Sequence, residues 1–196
     1  MTMPSGLTKI PGWLSTGTGR QAETELDLSD LWTWLNALRA YAADGLLTIS
    51  TLAITVAAEK FKTTTTAFYR IGGVHYSKAA TDNLVFSGVS TINVAAAATT
   101  AHWGAFLVQV NAAGVVSTLP AAYTSGTDQD YATEALAIAK LPAPTALNVQ
   151  LGYITVQTKA STNWIEATSD MTPASDCTAA NFYDLPAPAT LPAVLV

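Results

Sequence analysis

Apolar positions along this chain repeat with two periods, and the switches between them mark out the elements. Leu31, Trp34, Leu35, Leu38 and Ala42 fall at i, i+3, i+4, i+7 and i+11, which is one face of a helix. Ser29 suits the N-cap, Asp30 places negative charge at the positive end of the helix dipole, and Asp44-Gly45 supplies the stop. Trp32 sits off the centre of that face and widens it. Such a stripe either covers a sheet of its own chain or forms a seam with another.

From residue 46 to 57 the period drops to two. Leu47 and Ile49, then Leu52, Ile54 and Val56, alternate with polar or small residues across a break near Ser50-Thr51. Residues 59–66, with four consecutive threonines, read as a polar, exposed connection. Gly72-Gly73 predicts a tight hairpin between residues 67–71 and 74–78, because two-residue hairpin turns need positive φ. Residues 77–83 read as a loop, followed by short strands at 84–86 and 91–94. Residues 103–110 are almost continuously apolar, the signature of a strand buried on both faces. A turn at 111–114, with Gly114 in the left-handed position, returns the chain through 115–119.

A second helix is predicted over 128–141, capped by Asp128 or Asp130 and ended by Pro142 and Pro144. Ala132, Ala135, Leu136 and Ala139 form its small-residue stripe, flanked by Ile138. Val149, Leu151, Tyr153 and Thr155 alternate through a further strand, with Trp164-Ile165 as the expected partner across a turn at 159–163. Beyond Thr168 the prolines at 173, 186, 188 and 192 argue against a regular element, and Phe182 and Tyr183 are expected to anchor the tail. The fold expected is mainly β with two helices (α+β): an antiparallel β-sandwich or barrel-like domain preceded by an extended N-terminal arm and one helix. It divides into an arm (1–24), a helix with connecting strands as attachment region (25–66), and a β-rich domain with one inserted helix (67–196).

Composition sharpens the picture. Charged residues are 12% of the 196-residue chain, half the usual share, while Ala and Thr fill about a third of it. A surface so poor in charge suits either a neutral β-domain or one partly covered by other chains. The net charge of −5 is uneven: residues 1–80 carry +1 and residues 81–196 carry −6. No basic stripe is present, so nucleic acid is not expected as a partner, and a charged partner would be basic. No apolar run is long enough to span a membrane. The first twenty residues lack a basic start followed by an apolar block, so no secretory signal is expected there. Cys177 is the single cysteine, so no internal disulfide can form, and buried filler is its expected role. Within the arm, Ile10, Trp13 and Leu14 stand among Gly, Pro and Thr. They either pack back on their own domain or dock on a neighbour; docking accounts for both the apolar anchors and the lack of regular structure.

Catalytic patterns are sparse. His75 and His102 have no Cys or carboxylate at metal-ligand spacing, and Gly17-Thr18-Gly19-Arg20 lacks the preceding strand of a phosphate loop. Asp128 and Asp130 with Glu134 lack the spacing of a calcium loop. Glu166 with Asp170 or Asp176 is the one carboxylate grouping that a glycosidase reading could use. No enzyme, cofactor or metal is expected.

The order of features over residues 68–184 resembles bacteriophage virion structural proteins of the head-fibre or capsid-decoration type. The likeness lies in the hairpin Phe68-Tyr69-Arg70-Ile71-Gly72-Gly73-Val74-His75-Tyr76-Ser77-Lys78, then Leu84-Val85-Phe86 and Phe106-Leu107-Val108-Gln109-Val110-Asn111-Ala112-Ala113-Gly114. It continues through the Ala-rich segment ending at Leu141-Pro142 and through Val149-Gln150-Leu151-Gly152-Tyr153-Ile154-Thr155-Val156. The resemblance implies a β-rich module, often trimeric, attached to a major capsid or tail protein in the virion. On that reading Ile10, Trp13, Leu14, Leu31, Trp32, Trp34, Leu35 and Leu38 are the partner-docking residues. Two alternatives stand beside it. One is a tail fibre or receptor-binding adaptor touching host surface glycans through loops such as 121–127; the other is a cell-wall glycan hydrolase.

Overall fold

The computed structural model describes residues 31–33, 35, 44–88, 90–92 and 100–185. The chain divides into two compact units, one of Met1–Ala42 with Ala189–Val196 and one of Ala43–Pro188. In the first, residues 31–33 and 35 have helical backbone.

The second unit is mainly β, with one short helix and no closed barrel among the described residues, and it is built like a sandwich. Its centre is an antiparallel four-stranded sheet. β8 (Trp103–Asn111) and β11 (Asn148–Thr158) form the middle, with β9 (Val116–Pro120) and β13 (Cys177–Asp184) outside them in the order β13-β11-β8-β9. All seven interior residues of β8 are buried, as its continuous apolar run predicts.

One face of this sheet presents Phe106, Val108 and Val110 beside Val149, Ile154 and Val156. Alternation over 149–155 would put Val149 and Ile154 on opposite faces. They share one because β11 carries a bulge between Gln150 and Gly152, which shifts the phase by one residue. Gly152 is required there: a Cβ would lie 2.2 Å from the Tyr183 carbonyl oxygen.

Three small sheets pack on that face. The first is β1 (Gly45–Leu46), β4 (Ala67–Ile71) and β5 (Val74–Lys78). The second is β2 (Leu52–Ile54), β3 (Phe61–Thr63) and β6 (Thr81–Leu84); the third is β10 (Asp128–Gln129), β7 (Thr91–Ile92) and β12 (Trp164–Ile165). Strands from residues 44–66 are thus built into the same body as those after residue 67. Phe61, Phe86, Phe106 and Trp164 knot the layers together, with ring centroids 5.1 to 5.6 Å apart in mostly edge-on contact. The Gly72-Gly73 hairpin forms with φ of 58° and 80°, and the Asp44 carboxylate accepts both glycine N–H groups, at 2.7 and 3.2 Å.

The opposite face of the central sheet is covered by helix α1 (Glu134–Ile138), which packs over β8 and β11. This helix departs from the expected 128–141. Its cap is Thr133, whose hydroxyl accepts from the Leu136 N–H, and not Asp128 or Asp130. Asp128 and Gln129 are a strand instead. The Gln129 side chain accepts from the Ala105 N–H and donates to Ser90 Oγ, closing an edge of β8 that no described strand reaches. The predicted stripe is also rotated. Ala137 is fully buried with Ala105 and Ala121, while Ala132, Ala135, Leu136 and Ala139 are exposed.

Three further expectations are corrected. Residues 59–66 are not a plain connection, since Phe61 is fully buried and β3 pairs with β2 and β6. Trp164-Ile165 pairs with β7 and not with the 148–158 strand, because the Trp164 ring belongs to the aromatic knot. Residues 177–184 form a regular edge strand along β11. Pro173 sits in the turn that precedes it, so the proline does not interrupt the ladder.

Candidate functional site: an apolar helical face and three carboxylate networks

Of the residues expected to dock a partner, Leu31, Trp32 and Leu35 are described. All three lie in helical backbone and are exposed, at 42%, 36% and 43%. Leu31 and Leu35 stand one turn apart and Trp32 flanks them, so they share one side of the helix. Ile10, Trp13, Leu14, Trp34 and Leu38 lie outside the described residues, as do Ser29 and the Gly17–Arg20 segment.

Glu166 does not face a cleft. It is 2% exposed, and its two oxygens accept from the Gly88 N–H (3.1 Å), the Ser90 N–H (3.0 Å) and the Thr118 hydroxyl (3.1 Å). These bonds tie the 87–90 loop to β9. Burial pushes its carboxyl above the ordinary value, and the three hydrogen bonds oppose that shift without cancelling it. Asp170 and Asp176 are bound up in a separate turn. Asp176 accepts from the Asp170 N–H at 2.8 Å, and Asp170 accepts from the Thr172 N–H at 2.6 Å. Glu166 therefore joins distant segments, while Asp170 and Asp176 order a local turn.

Cys177 is fully buried, and burial, reinforced by the negative charges of Asp170 and Asp176, raises its thiol to about 11. It stays a thiol at neutral pH, which fits the filler role. No group of three or more His, Cys, Asp or Glu suited to a metal ion occurs among the described residues, and no helix among them is long and apolar enough to cross a membrane.

The most organised polar cluster is one that local sequence did not mark. Glu134, at the start of α1, reaches across β11 to β13. Its Oε1 accepts from Thr155 Oγ1 at 2.5 Å, Asn181 Nδ2 at 2.9 Å and the Tyr183 hydroxyl at 2.9 Å. Beside it, Tyr153 and Tyr183 are cross-strand partners with stacked rings, centroids 4.7 Å apart and 18° between planes. Burial opposes ionisation of Glu134, but the hydrogen bonds from Thr155, Asn181 and Tyr183 outweigh it and hold the carboxyl below its usual value. Burial, with Glu134 adding to it, raises Tyr183. The members are separated by up to 49 positions in the chain, so no spacing announces them.

Comparison with protein-family models, curated proteins and solved structures found no match to this chain.

Proposed function

We propose that this protein is a bacteriophage virion structural protein of capsid-decoration or head-fibre type. It attaches to a larger assembly through its N-terminal segment and displays the β-rich unit, most simply as a homotrimer. The observation that carries this reading is the exposed apolar helix side of Leu31, Trp32 and Leu35, which belongs to a unit distinct from the β body. A side chain of this kind contributes about 1.5–3 kcal/mol when fully buried on a partner. These three are already partly covered, so each would add a fraction of that, multiplied by repetition in a symmetric particle. In this reading the β-unit is a chemically quiet scaffold: the Glu166 and Asp176 carboxylates order loops and turns.

The test is co-sedimentation with particles lacking the protein. Leu31→Asp combined with Leu35→Asp is expected to weaken particle binding by at least about tenfold while leaving the thermal unfolding of the β-unit unchanged. Undiminished binding would exclude this helix side as the anchor. The same assay on a chain lacking residues 1–24 tests the contribution of Ile10, Trp13 and Leu14. The receptor-adaptor reading has its own support in the 121–127 loop, where Tyr123 is 42% exposed. Saturable binding of the isolated protein to host cells, without binding to particles, would favour it.

A further inference from the structure

We propose that the Tyr153–Tyr183 side of the central sheet is a binding platform for a neutral pyranose sugar. This goes beyond particle attachment and does not depend on it.

The first support is the aromatic surface. Tyr153 and Tyr183 are fixed face to face by direct pairing of β11 and β13, and both residues are half-buried and not sealed in the core. β13 is the outermost strand of its sheet among the described residues, so the stack stands at a rim and not inside a closed core. The C–H face of a pyranose is apolar and packs against a ring held in this way.

The second support is the ordered polar pair beside the rings. Glu134 and Asn181 are joined at 2.9 Å, and the same carboxylate oxygen is fixed by Thr155, which is fully buried, and by Tyr183. With Oε1 taken by these three donors, the second carboxylate oxygen and the other Asn181 N–H are the acceptor and donor that adjacent sugar hydroxyls match. The groups are held by the fold, so little conformational freedom is lost on binding.

Charge then narrows the ligand class. Glu134 keeps its negative charge at neutral pH, which disfavours phosphate, sulfate or carboxylate ligands at this spot. A quaternary ammonium is the rival occupant, since it also favours aromatic faces and a carboxylate. It binds best where rings converge around it, whereas two rings stacked at 4.7 Å leave no space between them, so it is kept as the rival probe.

The experiment is an NMR titration of the full, isotope-labelled chain with methyl α-D-glucopyranoside, methyl β-D-galactopyranoside, N-acetylglucosamine and, as the rival probe, tetramethylammonium. At least one sugar is expected to give saturable millimolar binding, with shifts centred on the amides of residues 153, 181 and 183. Tyr153→Leu is expected to weaken that binding by about tenfold or more, and Glu134→Gln by several-fold. Tyr123→Leu, at an exposed position outside the platform, is the control and is expected to retain the binding, and an unchanged thermal midpoint guards against loss of fold in the other two. The proposal is overturned if none of the three sugars saturates, if the shifts map elsewhere, such as the Tyr123 loop, or if tetramethylammonium alone binds. Binding that survives both Tyr153→Leu and Glu134→Gln also overturns it.

Discussion

Two glutamates with three hydrogen-bond donors each behave in opposite ways, and depth of burial explains the difference. Glu134 is half-buried and collects three side-chain donors, so its carboxyl is held below the ordinary value. Glu166 lies deeper, and burial outweighs its three donors, so its carboxyl is raised. A lowered folded-state value means a stabilising contribution that is complete above the unfolded value and lost as pH falls through the folded one. The reverse holds for Glu166: stability associated with it falls as pH rises from the ordinary glutamate range through its raised value. Glu134→Gln is therefore expected to be less stable than the parent in urea unfolding at pH 7. The difference should shrink as pH falls below the ordinary glutamate range and through the lowered folded-state value of Glu134, where the parent carboxyl is itself protonated. A gap that stays constant from pH 7 to low pH would show that the hydrogen bonds to Glu134 do not favour its ionised form.

At the scale of elements, α1 shows how packing overrides pattern. The repeat through Ala132, Ala135, Leu136 and Ala139 is a sound helical stripe, yet the buried residue is Ala137, which meets Ala105 on β8 and Ala121. The helix is short because residues 128–129 are taken as a strand and because Gln129 is needed at the edge of β8. Ala137→Leu is expected to destabilise the protein by about 1–3 kcal/mol, since the site has no room for added carbons. Leu136→Ala, at a position 49% exposed, is expected to change stability by no more than about 0.5 kcal/mol. Denaturant midpoints for the two variants decide it, and the opposite order would restore the sequence-derived face. The hairpins, by contrast, were legible from the chain alone. Gly72, Gly73 and Gly114 adopt positive φ where the turn chemistry demands it, with Asp44 and Asn111 accepting nearby N–H groups.

For the whole molecule, the compact unit Ala43–Pro188 contains the aromatic knot and all four sheets. Its core closes without a metal cluster among the described residues and without a disulfide, since Cys177 is the lone cysteine. A chain of residues 43–188 is therefore expected to unfold in one cooperative transition with a midpoint close to that of the full chain. Loss of cooperativity, or a large fall in the midpoint, would show that residues 1–42 are part of the folding unit and weaken their assignment as an attachment segment.

The division of labour between sequence and structure follows the range of the forces involved. The chain alone determined what depends on a few neighbouring residues. It specified the mainly β character, the two glycine turns, the doubly buried strand around Phe106 and the existence of a strand around Tyr153. Steric limits on φ and the period of apolar burial act over those distances. Tertiary structure decided what depends on partners far away in the chain. It buried Phe61 in a stretch that reads as polar, and it turned residues 177–184 into an edge strand beside β11. It gave Trp164 to the β7 sheet, where its ring could join Phe86 and Phe106. It also gathered Glu134, Thr155, Asn181 and Tyr183 around one carboxylate oxygen. No local rule brings these together, because they come from three separate elements, α1, β11 and β13, and only the packed sheet makes them neighbours.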